Sequence, residues 1–197
     1  PRFKVASSVE EAKAAAREVG FPVAMKVVSK DIVHKTDAGC VFLNVDGEEL
    51  VEAYFKLIMD NALNYSPKAK VAGVLVEEML PKGVEIVVGA FRDIEFGPTV
   101  MFGLGGVLVE VLKDVSFRVA PIAEDEAKEM MREVRGYRIL EGYRGMDPVN
   151  LEAVVDVLVK TSRLIVENEE VEQVDLNPVI ASRGQVRVAD ARVILRR

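Results

Sequence analysis

The chain has 197 residues, half of them hydrophobic, and a net charge of −6 from 26 basic against 32 acidic residues, enough apolar content for one large or two small cores. The absence of a basic block and of tryptophan argues against a nucleic-acid partner, and no apolar run approaches the roughly 20 residues of a membrane span. Cys40 is the only cysteine, which excludes an internal disulfide and a thiolate metal cluster, so the expected setting is a reducing cytoplasm. Charged residues make up 29% of the chain and Gln occurs only at 173 and 185, a mix seen in thermophile proteins.

In chain order, Ser8 with Glu11 predicts a capping box for a helix over VEEAKAAAREV, stopped by a left-handed Gly20. VAMKVV (23–28) reads as a strand, a polar loop follows, and CVFLNV (40–45) returns. A helix is predicted from about Glu48 to Asn64, with Leu50, Val51, Tyr54, Leu57 and Ile58 as its apolar stripe. A second lobe opens within VAGVLVEEML, and the domain boundary falls between residues 75 and 76. That lobe holds the β-like segments GVEIVVGAFRD, TVMFGLGG and VSFRVAPI. Its helices are AEDEAKEMMREV and a longer one over PVNLEAVVDVLVKTSRLIVEN, with Asp147 as N-cap and Pro148 at the first helical position. VEQVDLNPVIAS and QVRVADARVIL form a closing hairpin. The expected class is α+β in two lobes, 1–75 and 76–197. The chain starts directly before a strand and without methionine, as a piece of a longer protein would.

Several stretches carry groups suited to chemistry. Lys26 is a charge inside an apolar strand and must either reach water from an edge or meet an anion; taken alone, the edge reading is the simpler. The loop HKTDAG puts the only histidine, His34, beside Lys35, a hydroxyl and Gly39, a composition that can wrap a polyanion or form an ordinary solvated turn. Gly103, Gly105 and Gly106 permit close approach of a ligand or a tight turn. A two-residue turn at Arg183–Gly184 places Asn177 directly opposite Asp190 on one face, with Asp175 two residues away on that face. Such hard oxygen donors suit Mg²⁺, or simply a polar surface hairpin. In VLVEEMLPKGVE, Glu77, Glu78, Met79 and Leu80 lead into a proline turn, and Glu85 follows.

Those pieces, in this order, resemble the ATP-grasp domain of the nucleoside-diphosphate-forming acyl-CoA synthetases. GFPVAMKVVSKDIVHKTDAGCVFLNV, EIVVGAFRDIEFGPTVMFGLGGVLVEVLKDVSFRVAPI and VDLNPVI look like the family's blocks, and the likeness spans nearly the whole chain. The resemblance implies an ATP-grasp fold whose two α+β lobes clasp ATP or ADP. It implies that Lys26 contacts phosphates together with Lys35 and Gly39 of the loop, that Glu78, Met79 and Leu80 meet adenine, and that Glu85 holds ribose. Asn177 and Asp190 match the Mg²⁺ ligands, and His34 resembles a histidine that takes part in phosphoryl transfer. The implied partner is an α subunit carrying the CoA-binding and phosphohistidine domains, in an α2β2 assembly. Two departures stand out: many relatives have Gly-Gly where this chain has Gly39-Cys40, and the family's helical segment before PRFKV is absent. Two other expectations share the fold, a nucleotide-sensing module of a protein acetyltransferase and a carboxylate–amine ligase. Intact Lys26, His34, Asn177 and Asp190 argue against a degenerate sensor, and the ligase chemistry does not require His34.

Overall fold

A computed structural model describes residues 1–106 and 112–196; the VLVEV part of the glycine-rich block, 107–111, lies outside the described residues. The chain divides into two compact units, Pro1–Met79 and Leu80–Arg197.

The first unit runs β1 (Phe3–Ala6), α1 (Val9–Val19), β2 (Val23–Ser29), β3 (Val41–Val45), α2 (Glu48–Tyr65) and β4 (Val71–Glu78). Its antiparallel sheet has the order β1-β4-β2-β3. β4 therefore inserts between β1 and β2, and a boundary at 75/76 would cut it through its paired residues. The strand period of two sends Met25, Val27, Val74 and Val76 into a core with Ala12 and Ala16 of α1 and Ile58 of α2. Lys26, Val28, Leu75 and Glu77 take the opposite face.

Local signals explain most of this unit, with three shifts from expectation. The Ser8 hydroxyl accepts the Glu11 N–H at 3.2 Å, but the Glu11 carboxylate accepts the N–H of Ser7, at 2.7 Å, instead of closing on Ser8. Gly20 has φ 96° and ψ 129°, positive φ with extended ψ, so the helix ends without a left-handed residue. On α2 the buried stripe is Val51, Phe55, Ile58 and Ala62, while Leu50 and Leu57 remain about 40% exposed. Tyr54 instead stacks on Phe42 of β3, ring centroids 4.3 Å apart.

Charge pairs tie the outer faces of the two helices. Lys13 and Lys56 both donate to the Glu52 carboxylate, at 2.6 and 2.7 Å, and Arg17 forms a two-pronged pair with Glu48. The hydrogen bond from Lys13, then that from Lys56, holds Glu52 at a pKa of about 2 against an ordinary 4.5. A depressed folded-state pKa adds stability above the ordinary value that is lost as pH falls toward the folded one. Acid titration of unfolding should therefore show the difference between the parent chain and Glu52→Gln shrinking from pH 4.5 to about 2; a constant difference across that window would contradict this account.

The second unit runs β5 (Val84–Asp93), β6 (Gly97–Leu104), β7 (Val115–Val119), α3 (Glu124–Glu133), α4 (Tyr137–Leu140), α5 (Leu151–Glu167), β8 (Val171–Ala181), β9 (Val186–Val188) and β10 (Ala191–Leu195). Its antiparallel sheet has the order β10-β8-β5-β6-β7, with β9 also on β8. Ile86, Val88, Phe102 and Val179 pack against Met130 and Met131 of α3 and Val155 and Leu158 of α5. α5 starts three residues after the expected Asp147–Pro148 cap. Asn150 is the N-cap, its Oδ1 accepting from Ala153 N–H at 3.0 Å. Val149 N–H donates to Leu140 O and Asn150 N–H to Ser182 O, so these residues anchor neighbours before the helix begins.

Candidate functional site

The loop between β2 and β3 is a built structure. Gly39 N–H donates to Thr36 O and Cys40 N–H to Lys35 O, both at 2.9 Å, with Gly39 at φ 63°; this is a Schellman arrangement closing one short turn. Ile32, Ala38 and Cys40 are buried in the unit's core. Asn61 of α2 donates to Gly39 O at 2.7 Å, and Asp31 Oδ2 accepts from Lys70 N–H at 2.7 Å. Both ends of the loop are thus clipped to other elements, while His34, Thr36 and Asp37 between them are exposed. Burial pushes the Cys40 thiol pKa up, which makes it a packing residue and not a nucleophile. Replacing Gly39 with alanine would force an L-residue into the left-handed region with its Cβ 3.0 Å from Asn61 Nδ2. We expect a loss of about 1–2 kcal/mol in chemical denaturation; an unchanged midpoint would show that the turn can relax.

Lys26 is not on an edge strand. β2 lies between β4 and β3, Lys26 is 7% exposed, and its ammonium pairs with Glu77, 4% exposed. Pairing in β4 sets Leu75 directly across from Lys26 and Glu77 across from Ala24, so the two charges are diagonal neighbours on one face. Glu78 points elsewhere: its carboxylate accepts from Arg2 N–H at 3.1 Å and its own N–H donates to Arg2 O. Met79 is half-buried at the end of the unit, as is Leu80 at the start of the next.

In the second unit, Glu85 is exposed on the face away from the helices, since its neighbour Ile86 is in the core. Gly105 N–H donates to Glu85 O at 2.7 Å, and a Cβ on Gly105 would meet Glu85 at 3.0 Å. The glycine turn thus exists where the chain passes tightly over Glu85. The closing hairpin has the expected register: Val179 pairs with Val188, Asn177 N–H donates to Asp190 O at 3.1 Å, and Leu176 pairs with Ala191. Against β5, however, Ile86 pairs with Val179 and Val88 with Leu176, so Asn177 and Pro178 together oppose Val87 as a β-bulge. Asp175 is the cross-strand partner of Arg192. Burial pushes its carboxyl pKa up, Arg192 pulls it down, and the nearby charge of Asp190 pushes it up again. Among the described residues, no group of three or more His, Cys, Asp or Glu forms a metal cage. Asn177 facing Asp190 supplies two hard oxygen donors, a set that fits a Mg²⁺ completed by phosphate and water oxygens.

Lys26, His34, Lys35, Gly39, Glu78 and Met79 thus lie in the first unit, with Glu78 turned to Arg2 and Lys26 to Glu77, and Leu80, Glu85, Asn177 and Asp190 lie in the second. Two residues were not selected from the sequence. Glu77 was visible only as one of two adjacent acids, since its pairing with Lys26 joins positions 51 apart in the chain. Asn61 had no signal, because its partner is a backbone carbonyl.

Comparison with known proteins gives these features a family. Residues 1–195 match the ATP-grasp domain. The chain is 51% identical over 195 residues to the β subunit of ADP-forming acetate–CoA ligase I of Pyrococcus furiosus, covering 99% of this chain and 84% of that one. It is 49% identical to ADP-forming acetate–CoA ligase I of Archaeoglobus fulgidus, where it spans only 28% of the relative's length. Among solved structures, dinucleotide-forming acetyl-coenzyme A synthetase 1 of Ca. Korarchaeum cryptofilum, in complex with coenzyme A, Ca-AMPCP and HgCl+, aligns with a TM-score of 0.96 and 50% identity over 99% of this chain and 85% of that one. A form of that enzyme with coenzyme A and Mg-AMPPCP, its phosphohistidine segment pointing towards the nucleotide binding site, aligns at 0.84 with 48% identity, over 99% and 84% of the two chains. The chain belongs to the ATP-grasp family, and within it to the β subunits of the ADP-forming acyl-CoA synthetases.

Proposed function

We propose that this chain is the nucleotide-binding subunit of an ADP-forming acetyl-CoA synthetase, working in the cytoplasm in an α2β2 assembly. Its α partner carries the CoA-binding and phosphohistidine domains. The reaction is acyl-CoA + ADP + phosphate ⇌ acid + ATP + CoA. The observation that carries this reading is the doubly clipped loop presenting His34 beside Lys35. A neutral imidazole nitrogen of His34 attacks phosphorus on the partner's phosphohistidine, forming one P–N bond as the other breaks and returning the electron pair to the donor ring. A terminal oxygen of ADP then displaces His34 to give ATP. Lys26, Lys35 and the Gly39 loop hold phosphate oxygens, Glu78, Met79 and Leu80 meet adenine, and Glu85 accepts ribose hydroxyls. Asn177 and Asp190 hold Mg²⁺, which when bound offsets charge on the nucleotide phosphates.

Labelled ATP added to the chain with its α partner tests the assignment. Acid-labile phosphate mapping to His34 is the expected result. Full turnover with label only on the partner would remove His34 from the relay.

A further inference from the structure

The face of the second sheet turned away from the helices carries its polar residues in rows across the strands. The strand period of two puts Glu85 and Gly89 of β5 on that face, since Ile86 and Val88 point into the core. In the first row Glu85 pairs with Ile180 of β8, and Ile180 with Arg187 of β9. The bulge comes next, with Asn177 facing Asp190. One row further on, Gly89 pairs with Asp175, and Asp175 with Arg192 of β10. Successive residues on one face of a strand are about 7 Å apart. Glu85 and Arg192 therefore stand on opposite sides of the oxygen-donor pair. A nucleotide whose ribose meets Glu85 and whose phosphates reach Asn177 and Asp190 runs along β5 toward Gly89. Its terminal phosphoryl group arrives at the row of Asp175 and Arg192. That row has room, because Gly89 sends no side chain into it; a Cβ there would stand 3.3 Å from Met101 Cε. A phosphoryl group entering it meets the half-buried Asp175 carboxylate and requires a cation. Arg192 supplies one. Its side chain is exposed, and among the described residues it closes no ion pair, acting on Asp175 through space alone. Arg196, just after the same strand, is by contrast bound to Glu172 at 2.7 Å.

We propose that Arg192 binds the phosphoryl group in transit, the γ-phosphoryl of ATP, an inference that rests on the function proposed above. A guanidinium offers a planar fork of N–H donors that matches two phosphate oxygens. In the direction of ATP synthesis, a terminal oxygen of ADP bonds to phosphorus as the P–N bond breaks and its electron pair returns to the histidine ring. Arg192 donates to the peripheral oxygens of that phosphorus throughout and exchanges no proton. ADP has no group at this row. Arg192 thus tells ATP from ADP and holds the new phosphoryl group as it forms.

The test is calorimetric binding of ADP and of β,γ-methylene-ATP, both with Mg²⁺, to the complex with the α partner. In Arg192→Gln the Kd of the ATP analogue should rise about tenfold or more, while that of ADP stays within about twofold. Arg192→Lys keeps the charge but loses the fork, so its Kd for the analogue should fall between those of the parent and Arg192→Gln. Rapid-quench transfer of labelled phosphate from the α partner to ADP should slow in the same order. Equal weakening of the two nucleotides, or no change in either, would reduce Arg192 to a countercharge for Asp175 and overturn the inference. A parent complex that binds neither nucleotide would sink the proposed function instead.

Discussion

Replacing His34 with alanine is expected to abolish ATP formation by the complex with the α partner, by about 10³-fold or more, while ADP still binds. The size follows from the chemistry: removing a nucleophile costs orders of magnitude when no neighbour can replace it, and the chain has no second histidine. Specificity follows from the structure, because the His34 side chain is exposed and its backbone carbonyl keeps the bond from Ala38 N–H. Stability should therefore move by no more than about 0.5 kcal/mol, as for most surface substitutions. Calorimetric ADP binding, thermal unfolding and initial rates on one preparation decide the matter. Retained turnover would assign the chemistry to a direct transfer between the partner and ADP.

The second large effect concerns Glu77. Truncating one member of a buried ion pair leaves an uncompensated charge and typically costs about 3–5 kcal/mol, and Lys26 and Glu77 are 7% and 4% exposed. Glu77→Ala should lower stability by that order in denaturant titration. ADP should then raise the variant's melting temperature by more than it raises the parent's, since phosphate returns an anion to Lys26 and binding to the folded state stabilises by mass action. Equal shifts in the two proteins would mean that Lys26 does not receive phosphate.

These two sites were legible in the sequence to very different degrees. His34 could be picked out because it is unique and because its neighbours suit a polyanion. The facing of Asn177 and Asp190 could be derived because a two-residue turn fixes register locally. For Lys26 the pattern leaves an edge position and an anion contact both open, because the strand beside it, β4, comes from beyond α2. The same long-range pairing decides that β4 belongs with the first unit, which no composition shift near residue 75 reveals. On α5, Asp147 and Asn150 are both good caps. Tertiary bonds from Val149 and Asn150 decide between them, and on α2 contact with β3 selects which flank of an ambiguous stripe is buried.

The bulge at Asn177–Pro178 has a wider consequence. Immediately before it, the inward residues of β8 are even-numbered, Val174 and Leu176; after it they are odd-numbered, Val179 and Ala181. The partner strand changes phase at the same level, between Val188 and Ala191, so Ala189 and Asp190 stand opposite Pro178 and Asn177. Asn177 and Asp190 therefore occupy the crossover where neither strand owes a side chain to the core. Substitutions elsewhere along the hairpin can drift within the demands of packing and leave the pair untouched. An insertion or deletion on one side of this crossover would turn core residues and oxygen donors over together, so length at this point is under tighter constraint than identity anywhere else in the hairpin.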